Sequence, residues 1–279
     1  MLTAVRRSLR DQVSNLGLAG PAARVLRAIS SSDPRTVLSN AGYRRRGAPD
    51  GLPIPPQDLL FLVAGTSSIS WFLEGGARAA DTVRAAMERR GVAFDSLEAI
   101  LDFGCGCGRV LRHWHDLPRG HVFGTDYSPK LAQWCSQNLP FARVGINQLA
   151  PPLAYGDETF DLVYAFSVLT HLTQELQVPW VRELSRIIRP GGHLLISTHG
   201  DAYAARLNPD ESKRFAAGEL VVKNNVDAPG SNTCAAYHPL AYVRDRLASG
   251  LELVEFVPSG AKGNPRQDLY VLRVPARTH

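Results

Sequence analysis

The chain has 279 residues, a formal net charge of +5 and four cysteines, and it is 44% apolar and 20% charged. This fits one large α/β domain with additions, or two small domains, and argues against a disulfide framework. No apolar run approaches the ~20 residues that span a bilayer, and MLTAVRRSLRDQVSNLGLAG lacks a signal-peptide core, so a cytoplasmic protein without a membrane span is expected.

Much of the positive charge lies early, at Arg6, Arg7, Arg10, Arg24, Arg27, Arg35, Arg44, Arg45 and Arg46. One reading is a solvated arginine-rich helical surface; the other is a patch for a phosphorylated, lipid-linked or nucleic-acid partner. No interleaving of basic and aromatic residues supports the nucleic-acid version. Residues 1–95 read as mostly helical, broken at RRRGAPDGLPIPPQD (44–58), where Pro53, Pro55 and Pro56 forbid a regular helix. One or two helices follow. Leu59, Leu60, Leu62 and Val63 come first, then Trp71, Phe72 and Leu73, then Val83, Ala86 and Met87 at helical spacing, with Gly91 as C-cap.

From residue 98 the period changes. AILDFG (99–104) is a short apolar strand, and GRVLRHWHD (108–116) a helix opening at Gly108. HVFGTD (121–126) is the second strand, and SPKLAQWCSQNL (128–139) a helix capped by Ser128. ARVGIN (142–147) and FDLVYAFSVL (160–169) are the third and fourth strands. TQELQVPWVRELSRII (173–188) is a helix entered at Thr173, and the turn RPGG (189–192) feeds a fifth strand, HLLISTH (193–199). This alternation predicts a parallel, doubly wound sheet. LELVEFVPSG (251–260) and QDLYVLRV (267–274) are joined by a short turn and predict an antiparallel hairpin at one edge.

The stretch LDFGCGCGRV (101–110) is the centre of the chemistry. Its loop follows strand one at the carboxyl end of the sheet, where open α/β sheets bind ligands. Alternating glycines let the backbone approach a ligand and turn into a helix whose N–H groups face the pocket. A dinucleotide fingerprint needs glycine at 109, where Arg109 stands, and a Walker loop needs Gly-Lys-Ser/Thr. Cys105 and Cys107 with His113 and His115 raise a metal site, but Cys135 and Cys234 are isolated and no second pair has zinc spacing. Cysteine as a small filler of a tight loop is the better reading, and no metal is expected. A carboxylate at the end of strand two, Asp126, is placed to accept both ribose hydroxyls of an adenosine.

LDFGCGCG, GTD, FDLVYAFSVLTHL and LSRIIRPGGHLLIST, in this order over about 99–200, resemble the class I (Rossmann-like) S-adenosylmethionine-dependent methyltransferases. The resemblance implies a doubly wound, mostly parallel seven-stranded sheet with an antiparallel C-terminal hairpin, plus a helical N-terminal extension, and S-adenosyl-L-methionine as cofactor. By position, Gly104, Gly106 and Gly108, with Cys105 among them, pass under the methionine and ribose. Asp102 holds the cofactor ammonium, Asp126 the ribose diol, and Tyr127 lies beside the adenine. Asn147, followed by Gln148, stands where strand three meets the adenine amino group, and Ser167 lines the methionine end.

Residues 1–95 are expected to be a helical extension or lid, and 96–279 the cofactor-binding domain. An insertion at 200–237 would cap the substrate, with Asn224, Asn225, Asn232 and Tyr237 suited to a polyhydroxylated acceptor. Trp71 and Phe72 are either core or a roof over the cofactor. The cofactor's sulfonium makes its methyl electrophilic, so the protein must align a nucleophile and exclude water. A hydroxyl acceptor benefits from a base: His199 first, then His171 and His238. His113, His115, His121 and His193 are read as structural. After strand four stands FSVLT, not the family's Asn/Asp-Pro-Pro-aromatic mark of amide or amine methylation, and the Pro-Cys pair of cytosine-carbon methylation is missing. The expectation is O-methylation of a hydroxyl on a glycan or small-molecule natural product. The alternatives are N- or C-methylation of a small molecule, a non-catalytic cofactor-binding module, or an RNA modifier. Asp161 and Asp201 are too few for a metal-assisted reaction. Acceptor identity and oligomeric state stay open.

Overall fold

Five consecutive buried residues, Ala99–Phe103, form β1 at the middle of a seven-stranded sheet ordered β3-β2-β1-β4-β5-β9-β8. The other strands of that sheet are β2 (His121–Asp126), β3 (Ala142–Ile146), β4 (Phe160–Ala165), β5 (Ile188–Thr198), β8 (Glu252–Val257) and β9 (Asp268–Arg273). β6 (Val221–Asn224) and β7 (Cys234–Tyr237) make a separate antiparallel ribbon. The computed structural model describes residues 34–117, 121–224, 234–263 and 266–277. Arg6, Arg7, Arg10, Arg24, Arg27, Asn225 and Asn232 lie outside the described residues.

The chain divides into residues 1–72 and 73–279. The first unit contains α1 (Pro34–Arg46), α2 (Gln57–Ala64) and the start of α3 (Ile69–Glu88), and no helix crosses the proline stretch. Asn40 is buried here; its amide donates to Ser67 O at 2.9 Å and its Oδ1 accepts from Ile69 N at 2.9 Å. Among the described residues no single helix is long and apolar enough to cross a membrane.

In the second unit, β1 to β5 are mutually parallel, and β9 runs antiparallel to both β5 and β8. Central parallel strands are covered on both faces and therefore read as unbroken apolar runs, as LDF and LVYA do. α5 (Gln174–Ile187) packs a stripe of Gln177, Trp180, Val181, Leu184 and Ile187 inward, with the Trp180 ring 4.6 Å from Phe103. α4 (Pro129–Asn138) starts after Ser128 as expected, but the Ser128 side chain makes no cap; its backbone N–H donates to Asp126 Oδ1 at 2.8 Å.

Two expectations are corrected. RPGG is not a turn before strand five but a bulge within it: Gly191 N–H donates to Val274 O at 2.9 Å, and Val274 N–H to Gly192 O at 3.0 Å. The fixed residues around it are structural. Asp161 Oδ2 accepts from Glu98 N and Ala99 N at 2.7 and 2.9 Å, and Oδ1 pairs with Arg189 Nη1 at 2.6 Å. These contacts tie the entrances of β1, β4 and β5 together, at the end of the sheet opposite the glycine loop.

Nor does a helix open at Gly108. Gly104 (φ +75°) and Gly108 (φ +79°) are both left-handed, so the chain coils through 104–110 and reaches only a single 3₁₀ turn, Leu111–Trp114. A methyl group on Gly108 would stand 2.5 Å from Leu139 Cδ1, and one on Gly104 2.5 Å from Val168 Cγ2.

The connection after β5 folds on its own small core. It holds a 3₁₀ helix (Asp201–Arg206), α6 (Pro209–Ala216) and the β6–β7 ribbon. Asn208 and Glu211 form a reciprocal capping box at the start of α6. Tyr203, Phe215, Val221 and Tyr237 cluster beneath it. Tyr237 is thus core rather than an acceptor-facing group. The chain then passes through a short helix, Leu240–Tyr242, into a π-helical turn, Val243–Leu247, before β8.

Gly108→Ala is expected to lower unfolding stability by about 2–3 kcal/mol in urea titration, from left-handed strain and the Leu139 overlap. Gly145→Ala, with open space around its position, should change it by under ~1 kcal/mol.

Candidate active site

The carboxyl ends of β1 and β2 bring Asp102, the glycine loop and Asp126 together. The loop hangs from β2: Gly104 N and Cys105 N both donate to Thr125 O, at 2.8 and 3.0 Å. Gly106 N donates to Asp126 Oδ2 at 2.8 Å, so the acid that ends strand two also fixes the apex of the loop. Two of the roughly four lone-pair positions of that carboxylate are used, by Gly106 and Ser128, leaving acceptor capacity for hydroxyl donors. Burial raises its pKa, and those two N–H groups pull it back down.

Asp102 is 4% exposed, and among the described residues its Oδ2 has no hydrogen-bond partner. Desolvation lifts its pKa to about 7, against the opposing pull of the Tyr164 hydroxyl, the Arg109 guanidinium and the Leu111 N–H. Tyr164 sits beside Asp102 across the parallel β1–β4 register, and its own oxygen accepts from Trp114 Nε1 at 2.8 Å. An orphaned carboxylate oxygen beside a loop whose first N–H groups are spent internally favours a cation over a phosphate. The ammonium end of S-adenosylmethionine meets that requirement.

Cys105 does not face a ligand. Its N–H is taken by Thr125, its thiol is buried 3.7 Å from Gly106 O, and Cys135 Sγ reaches the same carbonyl at 3.3 Å. The hydrogen bond with Cys135 and burial hold the Cys105 thiol well above its usual pKa. It fills space under the loop, as do Cys107 and Cys135, which are also buried. No group of three His, Cys, Asp or Glu side chains able to hold a metal is found among the described residues.

Tyr127 is 41% exposed, beside Asp126. Ile146, not singled out from sequence, is 58% exposed and pairs in register with Asp126 at the end of β3. Two exposed apolar side chains at adjacent strand ends offer flat contact to an aromatic base. Asn147 Oδ1 accepts from Thr125 Oγ1 at 2.8 Å and its Nδ2 donates to Gln148 O at 2.7 Å, so one carbonyl lone pair is left. Gln148 is exposed.

On the other side, beyond β4 and β5, Ser167 stands in a left-handed conformation (φ +61°), a strained position for a non-glycine residue. Its N–H donates to Ser197 Oγ at 2.7 Å, and its Oγ accepts from Gln267 Nε2 at 2.9 Å. His199 Nδ1 bonds Ala236 O at 3.2 Å, and His171 Nδ1 bonds Cys234 O at 2.9 Å. A carbonyl only accepts, so both rings carry their proton on Nδ1 and present a bare Nε2. Burial pushes the pKa of His199 down to about 4, with further lowering from His171 and Arg206, and burial lowers His171 too.

His238 is out of an acceptor's reach. It is 0% exposed, and its Nε2 donates to Gln177 Oε1 at 3.0 Å, while the Gln177 amide donates onward to Leu172 O. It braces the chain after β7 against α5.

Residues 101–196 match the family model for a methyltransferase domain. Over that segment the chain carries a methyltransferase domain of the class I, S-adenosylmethionine-dependent kind. The domain's cofactor is S-adenosyl-L-methionine. A probable S-adenosylmethionine-dependent methyltransferase of Mycolicibacterium smegmatis is 31% identical over 126 residues, covering 43% of this chain and 48% of that protein. A mouse (Mus musculus) tRNA (carboxymethyluridine(34)-5-O)-methyltransferase is 33% identical over 105 residues, covering 37% of this chain and 15% of that protein. The chain therefore spans about half or less of the length of these relatives. A crystal structure of a Pyrococcus horikoshii protein shares the fold, with TM-score 0.53 and 14% identity over 84% of this chain and 98% of that one.

Some residues around these positions are not revealed by sequence spacing. Tyr164 and Ile146 arrive beside Asp102 and Asp126 through strand register, Trp114 through its bond to Tyr164, and Gln267 from a distant loop. The one available signal was the tyrosine inside LVYA, a polar tip within an otherwise apolar central strand.

The raised Asp102 pKa has a signed consequence. The folded protein favours the neutral acid, so stability present in acid is lost as pH rises from about 4 through about 7. Asp102→Asn should therefore raise the thermal midpoint of the cofactor-free protein at pH 8 and leave it nearly unchanged at pH 4 to 5. The same change should weaken S-adenosylmethionine binding about tenfold to a hundredfold in calorimetry, the loss of a charged hydrogen bond. Equal affinity would sink the assignment of Asp102 to the ammonium.

Proposed function

We propose that the protein transfers a methyl group to a hydroxyl of a glycan or small-molecule natural product, with His199 as general base. The observation that carries this is the tautomer of His199: Nδ1–H is fixed on Ala236 O, and the bare Nε2 lies at the carboxyl edge beside Gln267 and Ser167. When bound, the cofactor supplies an electrophilic methyl on a sulfonium. Asp102 holds the ammonium, and Gly104, Gly106 and Gly108 lie under the methionine and ribose. Asp126 takes the ribose diol. Tyr127 and Ile146 flank the adenine, with Asn147 and Gln148 at its amino edge. Ser167 lines the methionine end. His199 Nε2 receives the hydroxyl proton as the oxygen attacks, and the Ala236 carbonyl stabilises the resulting imidazolium through Nδ1–H. His171, oriented in the same way, is the second candidate base.

The insertion at 200–237 is the acceptor cap in this reading. It supplies both carbonyls that set the histidine tautomers, and Tyr203, stacked on His199 with ring centroids 4.0 Å apart. Residues upstream of about 95 serve as the helical extension or lid.

An RNA acceptor is the second reading. It is supported by the activity for which the mouse relative is named, itself an O-methyl transfer, and by the exposed arginines Arg44, Arg45 and Arg46 at the end of α1. It requires an RNA affinity that falls steeply with salt.

An acceptor screen with methyl-labelled cofactor separates these readings. On the acceptor found, His199→Ala should slow transfer by about 10²–10⁴ with cofactor affinity unchanged. At saturating cofactor the rate should stay level from pH 8 to about pH 5, since a histidine titrating at about 4 is already neutral there. If His199→Ala and His171→Ala each leave the rate intact, the histidine-base reading is wrong.

A further inference from the structure

Gln267 has no role assigned in the reading above, yet it is 3% exposed and touches Ser197, Ser167 and His199. It stands just before β9, at the end of the loop from β8. Its orientation is over-determined. Ser197 Oγ accepts from Ser167 N, so the Ser197 hydroxyl hydrogen goes to Gln267 Oε1, at 2.7 Å. The amide nitrogen must then face the other way. One of its hydrogens reaches Ser167 Oγ at 2.9 Å, and the other points at His199 Nε2, 3.4 Å away. The second contact is long because the first is short: one planar group spans both partners.

We propose that Gln267 is a positioning residue of the methyl transfer, whose carboxamide sets the His199 lone pair and the Ser167 hydroxyl in one fixed relation. This rests on the assignment of His199 as base. Ser167 belongs to the methionine end of the cofactor and His199 to the acceptor, so one amide fixes the separation of the two reacting sides. The geometry also gives a selectivity. The weak N–H contact on Nε2 yields to a hydroxyl, which donates a better hydrogen bond to the same lone pair. While no substrate is bound, a proton on Nε2 would instead face an N–H, with no acceptor to replace it. The other groups around the ring do not supply one. Tyr203 stacks on one face, the Tyr237 ring centroid is 5.8 Å away, and His171, Arg206 and His238 are electrostatic neighbours without a carboxylate among them.

Histidine NMR titration of the full chain tests this without knowledge of the acceptor. In Gln267→Glu a carboxylate replaces the N–H opposite Nε2, and the His199 midpoint should move up by about one pH unit or more. Gln267→Met should move it up by less, with the Nδ1–H tautomer retained. Cofactor affinity measured by calorimetry on each variant checks that the domain is folded. An unchanged His199 midpoint in a Gln267→Glu protein that binds cofactor overturns the proposal. On an identified acceptor, Gln267→Met should lower kcat at least tenfold with a smaller change in KM. A shifted midpoint with unaltered kcat overturns the positioning role. A shifted midpoint with His199→Ala fully active overturns the base assignment instead, so the two failures are distinguishable.

Discussion

A carboxylate buried at the end of the central strand, with one oxygen left unpartnered, governs the arrangement of this protein. A charged group in that place is costly unless a cation joins it, and the fold tolerates it by partial compensation. Tyr164 supplies a hydroxyl from the neighbouring strand, Leu111 an N–H from the 3₁₀ turn, and Arg109 a positive charge. None reaches Oδ2. The glycine loop beside it saturates its own first N–H groups on Thr125 and Asp126. An unpartnered carboxylate oxygen beside N–H groups already spent suits a cation better than a phosphate.

The parallel sheet was legible because its central strands are apolar without interruption and its helices carry 3.6-residue stripes. The motifs LDFGCGCG and GTD placed the loop and Asp126 correctly, since one strand and one turn fix both. Sequence reasoning failed where a local pattern had two physical solutions. Gly108 reads as a helix start until its left-handed φ is known. RPGG reads as a turn, although the same residues make a bulge once Val274 pairs with both glycines. Asp161 and Arg189 gave weight to the resemblance, yet they lock the opposite end of the sheet. What carried recognition and what carries chemistry are therefore partly different residues.

The histidines show the limit most sharply. Three of them, His171, His199 and His238, lie near the carboxyl edge in sequence, and their order as candidate bases rested on position alone. Burial and partners separate them. His238 is enclosed and spends its one donor on Gln177, whereas His171 and His199 bond alternate carbonyls of β7. Alternate residues of a strand point their carbonyls to the same side, so a single ribbon sets both tautomers.

That ribbon belongs to the segment least like the rest of the domain. It is long, polar and built around four aromatic and aliphatic residues of its own. Parallel pairing of His199 with Tyr237 and the bond from His238 N–H to His199 O join it to the end of β5. An insertion attached in this way cannot shift without disturbing His199. In the proposed reading, changes in its sequence alter which acceptor is admitted and how readily His199 accepts a proton, while the glycine loop and Asp126, held on β1 and β2, stay as they are.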